Sequence, residues 1–333
     1  MTSANLAAIF GCAGPVLLPE ERAFFRAADP FGFILFARNI ETPAQVARLC
    51  ADLRDALGRD APILIDQEGG RVQRMRGPHW REWQPSFDML AQARDPERAI
   101  YLQMRLIADE LRGVGIDANC APCADVAQAL THPFLRNRCY GEEATVVTRL
   151  ARAASDGLLA GGVLPVVKHL PGHGRATADS HKDLPQVDAS REELARIDFA
   201  PFAALKDLPM AMTAHIVFKA YDAALPATQS PEMIRVIREE IGFEGLLMTD
   251  DLNMQALSGN LGQRTAASMA AGCDIALHCK GDMAEMQTVA AACGRLNPAA
   301  LIRADRALAQ RHAPDAVDIA ALAAEFDRLM PTA

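Results

Sequence analysis

The 333-residue chain contains no run of about eighteen uninterrupted apolar residues, so no membrane-crossing helix is expected. Its opening stretch, MTSANLAAIFGCAGPVLLPEER, has an apolar patch, but no cationic segment precedes it and Gly14-Pro15 interrupts it. A secretory leader is therefore not expected, and the chain is read as a cytoplasmic protein with no membrane association. Blocks of five or six Lys or Arg are missing as well. With 34 Lys and Arg against 42 Asp and Glu the formal net charge is −8, which argues against a nucleic-acid partner. A second CxxC is lacking: Cys120-Ala-Pro-Cys123 stands alone among eight scattered cysteines, most of them in apolar runs. Reduced core thiols are expected, with neither a zinc knuckle nor a redox pair. No Gly/Ser-rich or Pro-rich linker and no short-period repeat divides the chain, so one domain over 1–333 is expected.

Half of the residues are apolar and 23% charged, enough to bury a large core. Short runs rich in Val, Ile, Leu and Phe alternate with longer stretches of helical period. Strands are predicted at 7–10, 32–37, 62–66, 117–121, 163–168, 209–214, 245–249 and 273–277. Helices are predicted at 42–57, 95–114, 142–160, 190–205, 230–241, 262–271 and 283–296, with two more at 299–311 and 317–329. Eight βα units point to the α/β class and to a (β/α)8 barrel. The first strongly polar residues at or after these strands are Arg38, Asp66, Asp125, Lys168, His169, His215, Asp250, Asp251, His278 and Lys280. In such a barrel they all belong to the end where the βα loops build the active site. Each alone is as readily a helix cap or a structural side chain; seven strand ends behaving alike make a site the better reading.

Two segments carry chemistry. Gly245-Leu-Leu-Met-Thr-Asp250-Asp251 ends an apolar strand in two acids, which suits a nucleophile or a metal ligand. Alternation turns only one of them toward the barrel mouth, without saying which. The segment KHLPGHGRATADSHKDLP, residues 168–185, holds three histidines behind another strand. Within it Asp179 lies two residues from His181, close enough for the carboxylate to orient the imidazole as a general acid and base on a Gly-bearing loop expected to move. A metal site from His169, His173, His181 and Asp179 fits less well, because Pro171 and the glycines break any helical H-x-x-x-H spacing. A carboxylate nucleophile beside a proton shuttle is the scheme of a retaining glycosidase.

The motifs Ile65-Asp-Gln-Glu-Gly-Gly-Arg-Val-Gln-Arg74, Ala121-Pro-Cys-Ala-Asp-Val126, Arg138-Cys-Tyr-Gly-Glu142, Lys168-His-Leu-Pro-Gly-His-Gly174, Asp179-Ser-His181, Thr213-Ala-His215 and Gly245-Leu-Leu-Met-Thr-Asp-Asp-Leu-Asn-Met254 resemble those of the family 3 glycoside hydrolases. Within that family the likeness is to single-domain bacterial β-N-acetylglucosaminidases of peptidoglycan recycling. It runs from Gly32-Phe-Ile-Leu-Phe36 to Ala271-Gly-Cys-Asp-Ile-Ala-Leu277. Leu170 and Cys139-Tyr140 depart from the residues frequent in relatives while roughly keeping size and polarity.

The resemblance implies that Asp250 is the nucleophile and Asp251 structural, and that His181, assisted by Asp179, is general acid and then base. It implies that Asp66, Arg74, Arg138, Lys168 and His169 grip the terminal sugar, with Arg74 alternatively a rim ion-pair partner. His173 is left to loop structure. The implied substrate is a muropeptide glycan ending in β-linked N-acetylglucosamine. The scheme requires no metal and no organic cofactor. A monomer or weak homodimer is expected. Two other readings keep the barrel: phosphorolysis of the same linkage, which an imidazole acid/base permits because it repels phosphate less than a carboxylate does, and a non-catalytic muropeptide-binding barrel.

Overall fold

The structure, a computed structural model, describes residues 4–177 and 184–331. Its main sheet has eight strands: β1 (Leu6–Gly11), β2 (Pro30–Leu35), β3 (Ile63–Ile65), β4 (Ala118–Asn119), β5 (Leu164–Leu170), β6 (Met210–Thr213), β7 (Leu246–Met248) and β8 (Ala276–His278). They run in the order β7-β6-β5-β4-β3-β2-β1-β8, every neighbouring pair parallel. A parallel bridge between Met248 and Ile275 brings β7 to β8, and Leu252 N–H donates to Leu277 O at 3.1 Å, so the ring closes. The expected (β/α)8 barrel is present, each predicted strand lying at its expected place.

Alternation within the strands sorts the core. Ala7 and Ile9 of β1, Leu164 and Val166 of β5, Met210 and Met212 of β6, and Leu246 and Met248 of β7 fill the barrel interior. Ala8, Phe10, Val167, Ala211 and Leu247 face the helical ring. Each such large side chain removed from water contributes about 1.5–3 kcal/mol. The ring begins with Pro19–Ala28 and Pro43–Leu57. The second of these starts on Thr42, whose side chain accepts from Gln45 N–H, and ends on Gly58 at φ 66. Helix Pro298–Leu308 closes the opposite end of the barrel, with Ala300, Ala304 and Ala307 joining the interior cluster. Among the described residues no helix is long and apolar enough to cross a membrane.

The structure differs from the sequence expectation in several places, among them the predicted helix 230–241, which is Pro231–Arg235 followed by a π turn over Val236–Glu240. The predicted helix 190–205 is broken into Arg191–Glu193, a π turn over Leu194–Asp198, and Ala200–Ala204. Pro201 has no N–H to continue the ladder, and Phe199 N–H reaches back five residues to Leu194 O. β4 shrinks to two residues because side chains replace ladder bonds: Asp117 Oδ1 accepts Ile63 N–H at 2.8 Å and Asn119 Oδ1 accepts Gln67 N–H at 2.9 Å. Helix Pro19–Ala28 and the hairpin Gln67–Gly69/Val72–Gln73 were not expected. The hairpin turns on Gly69 and Gly70, at φ 106 and 58, where side chains are strained.

Candidate active site

The carboxyl ends of the strands surround a cavity of about 310 Å³ lined by Asp66, Arg74, Arg138, Lys168, His169 and Asp250. Six of the eight residues singled out from sequence therefore meet in one place. The other two, Asp179 and His181, lie outside the described residues. Alternation brings Asp250 to the mouth: Leu246 and Met248 point inward on β7, and Asp250 is the next residue of that parity. Lys168 and His169 both line the cavity although they are adjacent. The register shifts between Lys168 and Leu170, and the Lys168–His169 peptide is cis.

On one wall lies a buried charge cluster. Lys168 Nζ donates to Asp66 Oδ1 at 2.9 Å and sits 2.6 Å from Glu68 Oε1. Arg138 grips Glu68 with two parallel bonds of 2.9 and 2.8 Å, and Arg74 Nη2 donates to Asp66 Oδ2 at 3.1 Å. Burial pushes the Glu68 carboxyl up, but Arg138 and Lys168 outweigh it and hold it near 2. Asp66 is lowered in the same way, burial being overcome by Lys168 and Arg74. Burial disfavours the charged Lys168 ammonium, yet Asp66 and Glu68 raise it above its ordinary value. All members are thus ionised near neutral pH, forming a wall of fixed donors and acceptors suited to sugar hydroxyls.

A second group orients His169. Its Nδ1–H donates to Asp125 Oδ2 at 2.7 Å, which leaves Nε2 at the cavity side, 3.4 Å from Arg138 Nη2. Asp125 Oδ1 also accepts the backbone N–H of His173 at 2.6 Å and of His169 at 3.3 Å, and Cys123 S–H reaches Oδ2 at 3.2 Å. Burial raises this carboxyl, but His169 and His173 reverse the shift. His173 is itself buried, and burial together with the nearby His169 lowers it to about 4, so it is neutral at pH 7. Gly174 allows the following turn to pass Val126, whose carbonyl oxygen would lie 1.9 Å from any added Cβ.

The third group holds Asp250. Its Oδ1 accepts Asp251 N–H at 2.8 Å. Burial raises the carboxyl, but His215, His169, that N–H and Lys168 bring it below its ordinary value, so Asp250 is a carboxylate near neutral pH. Asp251 accepts Asn253 N–H at 3.2 Å and Cys279 N–H at 3.3 Å, and burial raises it to about 6. His215 Nε2 lies 3.1 Å from Asp251 O, and its Nδ1 lies 2.7 Å from Thr228 Oγ1, fixing the peptide after Asp251.

Sequence reasoning passed over Glu68, Asp125 and His215 when assigning the site. Asp125 and His215 were visible as strand-end polar residues, and Glu68 lay inside a quoted motif. Nothing local signals that Glu68 meets partners 70 and 100 positions later in the chain, Arg138 and Lys168. Arg38 and Lys280 sit at strand ends without lining the cavity: Arg38 donates to the backbone oxygens of Cys12 and Cys279, and Lys280 pairs with Glu285 at 2.7 Å. All eight cysteines are free, seven of them buried. Among the described residues one group could hold a metal ion, Cys123, Asp125 and His169, whose ligand atoms lie within 4.8 Å of one another. There the Asp125 oxygens are already engaged by four donors.

The lowered carboxyls set the acid limit of the fold. A carboxyl lowered by folding contributes stability that is complete above its unfolded value and is lost as pH falls through its folded value. For Glu68 that window runs from 4.5 down to about 2, and Asp66 and Asp125 act in the same direction. Thermal melts from pH 6 to 3 are expected to show a steep fall in the midpoint below about pH 4.5. A flat profile across that range would show that the cluster is not ionised as described.

Residues 22–309 match the model of the glycosyl hydrolase family 3 N-terminal domain. The chain is 36% identical to a β-hexosaminidase of Pseudomonas aeruginosa over 286 residues, 85% of each protein. It is 39% identical to a β-hexosaminidase of Alkalilimnicola ehrlichii over 281 residues, 81% of this chain and 80% of the relative. Among solved structures, native NagZ from Neisseria gonorrhoeae superposes with a TM-score of 0.84 at 29% identity, covering 98% of this chain and 96% of that one. The same gonococcal protein has been solved in complex with N-trifluoroacetyl-D-glucosamine, at 28% identity and the same coverage and TM-score. A barrel whose strand ends gather a carboxylate and a wall of ionised groups, matched over most of its length by these relatives, belongs to glycosyl hydrolase family 3 and is a glycosidase.

Proposed function

We propose that the protein removes terminal, non-reducing β-linked N-acetylglucosamine from peptidoglycan fragments, with retention of configuration. The observation that carries this reading is the carboxylate of Asp250, held ionised against its burial by His215, His169 and Lys168, in the same cavity as the Asp66–Glu68–Lys168–Arg138 wall. The names of the β-hexosaminidase relatives and the acylated glucosamine bound by the gonococcal protein support the sugar.

In the proposed reaction Asp66, Arg74, Arg138, Lys168 and His169 hold the terminal sugar. Asp250 Oδ1 is fixed by Asp251 N–H, and Oδ2 attacks the anomeric carbon. The C1–O bond breaks as His181, paired with Asp179, protonates the departing oxygen. Water then gives a proton to His181 and attacks C1, and Asp250 leaves as carboxylate. Two displacements at one carbon return the β configuration.

A chromogenic β-N-acetylglucosaminide followed by NMR of the first-formed sugar tests this reading. Turnover releasing β-N-acetylglucosamine is expected; release of the α-anomer first, or no turnover, would overturn it. Product analysis in phosphate buffer separates hydrolysis from phosphorolysis, since only the latter yields a sugar 1-phosphate. Comparison of chitobiose with a 1,6-anhydromuramyl disaccharide peptide tests the peptidoglycan part, with a higher kcat/KM expected for the second.

A further inference from the structure

Helix Ile319–Leu329 lies beyond the family-matched span 22–309, yet it packs on the loop that leads away from Arg74. We propose that Phe326 is a positioning residue for sugar binding: through Trp83 it braces the hairpin and loop that carry Glu68 and Arg74.

Phe326 is the one fully buried side chain of its helix, 4% exposed, and meets the Trp83 ring edge-on at a centroid distance of 5.3 Å. The Arg81 guanidinium lies 4.7 Å from the Trp83 centroid and 4.9 Å from that of Phe326, and its Nη2 pairs with Asp327 at 2.5 Å. Arg98 grips Glu325 with bonds of 2.7 and 2.9 Å, and Arg94 N–H donates to Leu329 O at 2.9 Å, fastening both the helix and its end.

From Trp83 the contact passes directly into the hairpin. Trp83 N–H donates to Gln73 Oε1 at 3.0 Å, and Trp83 O accepts Gly70 N–H at 2.8 Å. Gln73 Nε2 donates to Arg81 O at 2.7 Å and Met75 O at 2.8 Å. Gln67 Oε1 accepts the N–H groups of Arg74 and Met75, and Gln103 Nε2 donates to Glu68 O at 3.1 Å. Glu68 and Arg74 therefore stand on a strip of backbone whose outer side is clamped by Trp83, and Trp83 is clamped by Phe326. The strip is short and irregular, with a two-residue strand at Val72–Gln73, so it has little rigidity of its own.

Removal of the Phe326 ring leaves a cavity behind Trp83 and lets the strip shift, loosening ground-state and transition-state binding alike while Asp250 stays in place on β7. For Phe326→Ala, KM for the chromogenic glycoside and the inhibition constant of N-acetylglucosamine are expected to rise together by about fivefold to twentyfold, with kcat within about twofold. Phe326→Leu is expected to restore most of the affinity, and Trp83 emission is expected to shift in the alanine variant only. A folded Phe326→Ala protein with wild-type KM, or with a loss confined to kcat, would overturn the proposal. Should Phe326→Ala not fold, Arg81→Ala, which removes the guanidinium lying against both rings, decides by the same two constants. The outcome is separable from the fate of the proposed activity: a wild type that neither cleaves the glycoside nor binds N-acetylglucosamine sinks that reading, whereas an active wild type matched by Phe326→Ala sinks this one.

Discussion

Replacing Asp250 with alanine is expected to lower kcat/KM on a β-N-acetylglucosaminide by at least about 10⁴-fold. The carboxylate would be the nucleophile of the first displacement and the leaving group of the second, and unlike Asp66, which Lys168 and Arg74 hold, it is in no ion pair among the described residues. Asp250→Asn keeps an acceptor for Asp251 N–H, so it is expected to melt close to wild type while being equally inactive on first mixing. With the carboxylate gone, azide can enter from the vacated face. It forms a bond to C1 as the aglycone leaves with a proton, and the α-glycosyl azide is the expected product. A residual rate within tenfold of wild type in Asp250→Ala would instead make the substrate's own acetamido oxygen the nucleophile, and the aspartyl intermediate would be wrong.

Lys168→Met is expected to cost about 3–5 kcal/mol of stability at pH 7 and to raise KM strongly, because it leaves two buried carboxylates facing one another with one cation fewer between them. Lys168 is buried, 2.9 Å from Asp66 and 2.6 Å from Glu68. The pH dependence should reverse sign relative to wild type. In the wild type these carboxyls are lowered, so acid weakens the fold. In the variant, burial, the largest influence on both, is no longer outweighed at one of them, and its folded value rises above the unfolded one. Stability from such a group is present below the unfolded value and lost as pH rises through the folded one. Melts of Lys168→Met are therefore expected to improve from pH 7 toward pH 5, where the wild type changes little. Equal slopes for the two proteins would mean that Lys168 does not carry the balance of the cluster.

The effect of these substitutions depends on which side chains share a neighbourhood, and that divides what could be read early from what could not. The eight strands were legible because apolar runs of four to six residues between amphipathic segments have few alternative uses. The breaks in pattern were less so: Leu194–Asp198 lies inside a stretch of helical period, and nothing local announces that Phe199 N–H reaches back to Leu194 O and makes it a π turn. The hairpin after β3 escaped notice because its strands are two and three residues long, below the length at which alternation can be recognised.

By itself the sequence determined the barrel, the end of it that carries chemistry, and Asp66, Lys168, His169 and the Asp250–Asp251 pair at strand ends, since period-two alternation and strand-end polarity are local properties of the chain, whereas Arg74 and Arg138 came only from the family likeness. Between Asp250 and Asp251 it could not choose without the family likeness. The tertiary structure decided what depends on distance through space: Glu68 as the shared partner of Lys168 and Arg138, Asp125 as the group that orients His169, His215 as the support beneath the Asp251–Leu252 peptide, and Phe326 behind Trp83. Those contacts join residues up to 243 positions apart, Trp83 with Phe326 being the widest. A buried charge reveals its role only when the opposite charge that compensates its desolvation has been brought beside it.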